Sequence, residues 1–387
     1  MTRLTRDAAW LAVRAIRAAP GRFCVLSAAL GVALGLPLIT WQAGSQAGEA
    51  LRQRASATPV VLGAPGDTFD LVFGALYFRP GSGPPLHWSV VEQARSLDLV
   101  LAPLHVRHRA DGVPVVGTSP EYFELRGLEA SAGRLPTMLG EVVVGARVAR
   151  ERGLVPGHTL RADVSVLHDL SGEAPLTLAV TGVLASAGTA DDRAIFTDVR
   201  TAWALDGSLH GHAAVEEEQA LPGGSSEDHL RASGAVVPAD PVVGGTQDFH
   251  LHGDLDDQPL TAVLAFPESQ AAHDLLLDRA ATVPGLRAVR PGPVVDELLA
   301  VGHRVRDGLL LFLGLMAGAM VALVGLVLSL GRRLRRQEAG LLVRLGSHPD
   351  LLPAMHALES LLLLAVGLAV AAVLTLAARA ALAEVLS

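Results

Sequence analysis

Lysine is absent from this sequence, so every one of its 31 basic residues is arginine. A phosphate-binding loop of the form GxxxxGK[ST] needs a lysine to reach the β- and γ-phosphates; the chain therefore holds no ATPase site of that kind, and any ATP it depends on is hydrolysed by a partner. Cysteine occurs once, at Cys24 inside an apolar run, which excludes an intrachain disulfide and any CxxC metal or redox motif. Charge is scarce: 18% of residues are charged, against roughly 25% in soluble domains, and 50% are hydrophobic. Neither GxSxG nor HExxH occurs, which removes the local signatures of a serine hydrolase elbow and of a zinc protease.

What the chain has instead is three long uncharged runs, Phe23 to Gly48, Gly308 to Leu330 and Ser360 to Ala378. At 1.5 Å per residue each can cross roughly 30 Å of hydrocarbon, and they predict membrane helices over 23–48, 308–330 and 351–380. The first run also has features of a cleaved signal peptide, a charged start and the small residues Ala43, Gly44, Ala47 and Gly48; its length exceeds the apolar core of such leaders and favours a span.

Arginines orient these helices. Arg3, Arg6, Arg14, Arg17 and Arg22 precede the first run against Asp7 alone, and Arg332, Arg333, Arg335, Arg336 and Arg344 lie between the second and third against Glu338 and Asp350. Short segments beside spans keep positive charge on the cytoplasmic side. Residues 1–22, an amphipathic helix, and residues 331–350 are thus expected inside, and the block 49–307 and the tail 381–387 outside. Because both inside segments are positive, the outside block is more acidic than the chain's net charge of −8. Nucleic acid, which requires a basic surface, is not an expected partner.

The outside block reads as mixed α and β. Asp70 to Phe78, Val113 to Val116, Glu141 to Val144 and Leu176 to Leu184 are β-branched or alternating runs of strand type, with helices expected over Ser89 to Ser96 and Ala146 to Arg152. After Gln258 the order is a strand (Leu260 to Phe266), a helix (Ser269 to Ala281), a short strand (Leu286 to Val289) and a helix (Val294 to Arg306) running into the second span. The fold class is an α-helical transmembrane bundle of three spans with an α+β extracytoplasmic core of two subdomains: residues 115–205 inserted into a membrane-proximal part made of 49–110 and 258–307, with a His- and acid-rich segment over 206–257.

Between the second and third spans, Arg332 to Leu345 has a helix pattern that Gly346 stops. Leu341, Leu342 and Leu345 form an apolar ridge beside arginines, suited either to docking in a partner's groove or to lying against lipid headgroups. Between Leu205 and Asp257, His210-Gly-His212 and His250-Leu-His252 are His-x-His pairs among many carboxylates. Such pairs set two imidazoles on one side of a strand or turn and suit zinc or copper; the glycines and serines around them equally suit a solvated loop.

Taken together, the residues resemble the MacB/FtsX-type permeases of ABC transporters, which include macrolide exporters, lipoprotein-releasing permeases and the cell-division permease. The resemblance covers nearly the whole chain. Arg335, Arg336, Glu338, Leu342, Leu345 and Gly346, with Glu359 ahead of the third span, match the family's RRxEhxhLxxLGh segment (h, hydrophobic), and Ser347 departs from its last hydrophobic position. Val116, Gly117, Thr118, Tyr122, Phe123, Gly133, Arg134 and Leu135, followed by GEVVVG (140–145), GLVPG (153–157) and GVLASAGTADDRAIF (182–196), are similar to the periplasmic elements in order and spacing.

The resemblance implies a non-catalytic inner-membrane subunit. It pairs with a second copy of itself and with a dimer of cytoplasmic ABC ATPases that supply ATP and Mg, and it transmits their closure to a periplasmic domain, with a periplasmic adaptor or substrate-binding protein as a further partner. On that reading Arg335, Arg336, Glu338, Leu341, Leu342, Leu345 and Gly346 couple to the ATPase. The uncharged spans offer no polar path for a charged solute, which agrees with work done on a substrate outside the membrane. Family members carry a fourth span, and this chain, ending at Ser387, is read as a three-span variant or as truncated. The competing reading is a membrane-anchored periplasmic binding or scaffolding protein with no ATPase partner. Zinc at His210, His212, His250 and His252 would link the chain to envelope metal handling.

Overall fold

The computed structural model describes residues 3–79, 81, 83–94, 99–163, 177–206, 209–211, 249–251, 254–334, 341 and 346–386. In chain order the elements are α1 (Arg3–Ala18), α2 (Pro20–Ser56), β1 (Val60–Gly63), α3 (Thr68–Tyr77), β2 (Leu86–His87), α4 (Ser89–Ala94), β3 (Leu99–Ala110), β4 (Val113–Thr118), α5 (Pro120–Arg126), β5 (Ala130–Gly133), β6 (Glu141–Val144), α6 (Ala146–Arg152), β7 (Thr159–Arg161) and β8 (Thr177–Leu184). A 3₁₀ turn (Ala190–Arg193) follows, then β9 (Ile195–Asp198), α7 (Val199–Leu205), β10 (Leu209–Gly211), β11 (Phe249–Leu251), β12 (Pro259–Leu260), β13 (Ala262–Pro267), α8 (Gln270–Thr282), β14 (Arg287–Val289), α9 (Pro291–Leu334) and α10 (Leu351–Leu386). They form two compact units, one of Met1–Glu49 with Glu297–Leu386 and one of Ala50–Asp296.

The first unit is helical. Among the described residues three helices are long and apolar enough to cross a bilayer: α2, α9 and the stretch Leu351–Leu382 of α10. Small residues let them approach, the usual device where lipid removes the hydrophobic drive between helices. A Cβ at Gly31 would sit 2.6 Å from Val370 Cβ and 2.9 Å from the Gly367 carbonyl, and one at Gly44 would lie 3.0 Å from Arg306 Cδ. Leu30, Val324 and Leu363 form the buried apolar cluster of the unit, while Leu311, Phe312 and Leu315 face outward. Helix α1 lies along α10 through Ala8 and Ala12, both fully buried, and exposes Trp10, over whose ring Arg14 stacks at 4.5 Å. Glu359, at the start of the third apolar run, is held by Arg22 Nη2 at 2.6 Å, with His356 Nδ1 at 3.6 Å.

The second unit is built on one ten-stranded sheet in the order β14-β1-β13-β3-β4-β9-β6-β8-β5, with β7 joined to β8. Pairing is antiparallel except for β4 with β9 and β6 with β8. Both faces are covered, so several strands read as unbroken apolar runs rather than as alternations. Val61, Leu104, Val116, Val143, Phe196 and Leu264 face one side; Val60, Leu62, Val263 and Ala265 face the other, where the Trp88 and Trp203 rings meet edge to face at 5.3 Å. Each large aliphatic residue so buried contributes about 1.5–3 kcal/mol.

One sequence expectation is corrected here. The run Asp70 to Phe78, expected as a strand, lies in helix α3 and the residue after it. Asp67 caps the helix by accepting a hydrogen bond from the Asp70 backbone N–H, and Phe78 closes it with a left-handed backbone. Leu71, Ala75 and Phe78, at helical spacing, pack on the sheet. A short apolar run does not separate the two periods, and the cap does.

Candidate functional site

Helix α2 carries the first apolar run and ends inside the second unit. Its last turn holds Arg54, only 7% exposed, whose guanidinium nitrogens all make hydrogen bonds. Nη1 donates to Asp191 Oδ2 at 2.5 Å, Nη2 to Asp191 Oδ1 at 3.0 Å and to the Tyr122 hydroxyl at 3.3 Å, and Nε to the Leu76 carbonyl at 2.6 Å. The last bond satisfies a carbonyl that the final turn of α3 leaves without an intrahelical partner. Tyr122, on α5, donates to Asp191 Oδ1 at 2.5 Å, and the Thr189 hydroxyl donates to Oδ2 at 2.6 Å.

Local sequence positions each group. Thr189 caps the 3₁₀ turn that carries Asp191, and Asp192 ties the loop before it by accepting from Ser186 Oγ and the Ala187 and Gly188 N–H groups. Gly145 must be glycine for this turn to pack against α6, since a Cβ there would lie 2.3 Å from the Asp191 carbonyl. Tyr122 stacks on Phe196 at 5.5 Å. A second arginine, Arg126, braces the chain just past α2 by donating to Thr58 Oγ1 at 2.8 Å.

The electrostatics follow from burial. Burial pushes the Asp191 carboxyl up, but the Arg54 charge and hydrogen bonds from Arg54, Thr189 and Tyr122 outweigh it and hold the group below its ordinary value. Burial, with the Asp191 charge beside it, pushes the Tyr122 phenol well up, so Tyr122 remains a donor. The cluster is a charge-assisted lock on the end of α2, with no reactive nucleophile and no open general base. Two residues earlier on α2, Arg52 Nε reaches Asp296 Oδ1, on α9, at 3.0 Å.

The expected site residues are placed unevenly. Arg335, Arg336, Glu338, Leu342 and Leu345 lie outside the described residues; Leu341 is helical and exposed, and Gly346 has the positive φ of a helix stop. His212 and His252 also lie outside the described residues, whereas β10 and β11 pair His210 with His250 directly across an antiparallel ladder. The structure gathers a different set: His105, His108 and Asp206, whose ligating atoms lie within 4.8 Å of one another. Spacing could not have shown this, because three residues apart on a regular strand point to opposite faces. Arg54, Tyr122 and Asp191 are not visible as a set in the sequence: Tyr122 and the 182–196 segment holding Asp191 enter only through the family resemblance, and Arg54 only as an arginine ending an apolar helix.

A family model described as MacB-like periplasmic core domain matches residues 25–223, more than half of the chain. Among solved structures, the periplasmic region of MacB from Actinobacillus actinomycetemcomitans is similar at 10% identity and a TM-score of 0.36, over 62% of this chain and 92% of that one. The extracellular domain of the noncanonic ABC-type transporter YknZ from Gram-positive bacteria is similar at 12% identity and a TM-score of 0.33, over 60% and 99%. No curated protein matches the chain. The family match, on a chain with three apolar helices and a mixed α/β domain between the first and second, makes this protein a member of the MacB-like periplasmic core domain family and a permease of the MacB/FtsX type.

Proposed function

We propose that the chain is the membrane subunit of an ABC transporter that transmits ATP hydrolysis, carried out by separate cytoplasmic ATPases, to its periplasmic domain, and so works on a substrate at the periplasmic face. The observation that carries this reading is the lock on Arg54: the helix that holds the first apolar run ends on a buried bidentate ion pair in the sheet domain. A displacement of that helix must move or break the pair, so motion is passed on rather than absorbed by a loose linker.

The rest of the reading follows the family and the charge pattern: two copies of the chain, an inner-membrane location with the N-terminus inside, and ATPase coupling through Arg335, Arg336, Glu338, Leu341, Leu342, Leu345 and Gly346. A zinc-handling role for the segment with His210, His212, His250 and His252 belongs to the same proposal. The test is co-purification of the detergent-solubilised chain with candidate ATPases, comparing wild type with Glu338→Arg. Recovery of an ATPase that the substitution abolishes supports the permease reading; failure of wild type to retain any favours the anchored scaffold.

A further inference from the structure

We propose that His105, His108 and Asp206 form a binding site for a single divalent transition-metal ion, best suited to zinc, that clips the end of α7 to the bulge of β3. The backbone builds the site in two steps. On β3, His105 pairs with Gly117 and Val106 with Val116, but His108 pairs with Val115, so Arg107 is an extra residue with no partner on β4. That bulge turns the strand by one residue and brings the two imidazoles to the same face. On α7, Asp206 ends the helix with its N–H donating to the Ala202 and Trp203 carbonyls. Gly117 lets α7 settle there, because a Cβ at that position would lie 2.4 Å from Ala202 Cβ.

The donor set is closed off from water. The three side chains are 3%, 5% and 6% exposed, with His105 Nε2 at 2.7 Å from Asp206 Oδ2 and His108 Nε2 at 2.6 Å from Oδ1. His105 Nε2 and Asp206 Oδ2, though close, are not aligned for a hydrogen bond, and His105 Nδ1 has no hydrogen-bond partner among the described residues. Buried imidazole nitrogens are ordinarily satisfied. Two imidazoles and a carboxylate converging in a buried spot call for a cation at their centre. Arg107 supplies little of it: its Nη1 is 3.7 Å from Asp206 Oδ1 and its side chain is 66% exposed, free to swing into solvent.

The chemistry selects the ion. Two nitrogens and one carboxylate oxygen suit zinc and its first-row neighbours; calcium and magnesium prefer all-oxygen sites. Zinc–ligand bonds of about 2.0–2.2 Å in tetrahedral arrangement set neighbouring donors roughly 3.3 Å apart, a spacing inside the 4.8 Å within which the three donor atoms lie. A water completes the fourth position. A cavity of about 340 Å³ borders His105 and Arg107 and has Asp67 and Asp70 in its wall.

The experiment uses the full chain in detergent, stripped with a chelator and dialysed against zinc alone, with bound metal measured by mass spectrometry. All measurements are made in a His210→Gln, His212→Gln, His250→Gln, His252→Gln background, which removes the His-x-His pairs from the count, and about one zinc per chain is expected there. Adding His105→Gln or Asp206→Asn should weaken binding by roughly tenfold or more. Where a buried substitution fails to fold, cobalt supplies the second measurement: the background chain, with His105, His108 and Asp206 intact, should show visible bands of a four-coordinate site that one equivalent of zinc erases. No bound zinc in the background chain, undiminished binding on adding His105→Gln, or absence of the cobalt bands overturns the proposal.

Discussion

Arg54 and Asp191 stand 137 positions apart and meet as a bidentate pair with side chains 6% and 2% exposed. A buried pair of this kind adds little over apolar residues of the same shape, but breaking it strands a charge in a low dielectric at about 3–5 kcal/mol. Arg54→Met should therefore lower the thermal midpoint of the sheet domain by on the order of 10 °C, at the 2–4 °C per kcal/mol typical of this size. Adding Asp191→Asn should recover part of the loss. Thermal unfolding of the four members of the cycle checks it; strictly additive losses would show that the two groups are not coupled.

Stability should also carry an acid limb. The Arg134 guanidinium, together with the Thr137 and Met138 N–H groups, outweighs partial burial and holds the Glu141 carboxyl down to about 2. A group depressed in the folded state stabilises fully above its unfolded value of about 4.3, and that contribution drains away as pH falls toward about 2. Asp191, depressed by Arg54 against its own burial, adds to the same limb. Urea midpoints of wild type should fall between pH 5 and 3, and those of Glu141→Gln should fall less steeply. Parallel curves for the two would remove Glu141 from the account.

What could be seen in the sequence was what is local or long. Apolar runs such as Gly308 to Leu330 declare themselves, because hydrocarbon tolerates little else over that length. Glu141 to Val144 and Ala146 to Arg152 show their period and their glycine stops within a few residues. Asp70 to Phe78 misled because its apolar run is short and only Asp67, outside the run, marks a helix start. The His105–His108–Asp206 set depended on one unpaired residue, Arg107, and the Arg54–Tyr122–Asp191 set on three distant segments; neither leaves a periodic trace. The His-x-His pairs drew notice because they are compact, and half of their residues fall outside the described structure.

Arg22 and Glu359, 2.6 Å apart in the helical unit, should behave as a charge pair under membrane conditions, where an ionised side chain without a partner is costly. Glu359 is 8% exposed, so Glu359→Ala leaves Arg22 with no counter-charge among the described residues and should lower the melting temperature in detergent; Arg22→Ala does the same from the other side. The exchange Arg22→Glu with Glu359→Arg should restore part of it. An exchange no better than the single changes would mean that packing, not charge, decides this position.

Close helix packing supplies the last contrast. Gly31 on α2 faces α10 so tightly that a Cβ would stand 2.6 Å from Val370 Cβ and 2.9 Å from a main-chain oxygen, while Gly318 on α9 has no atom within 4 Å of its Cβ position among the described residues. Backbone at Gly31 cannot yield as a flexible side-chain end would, so Gly31→Val should separate α2 from α10, with the 1–3 kcal/mol cost of overpacking or more. Gly318→Ala meets no obstacle and gains up to about 1 kcal/mol in helix propensity. Melting curves of the two variants in the same detergent should move in opposite directions; equal losses would place a contact on the Gly318 face that a single chain does not contain.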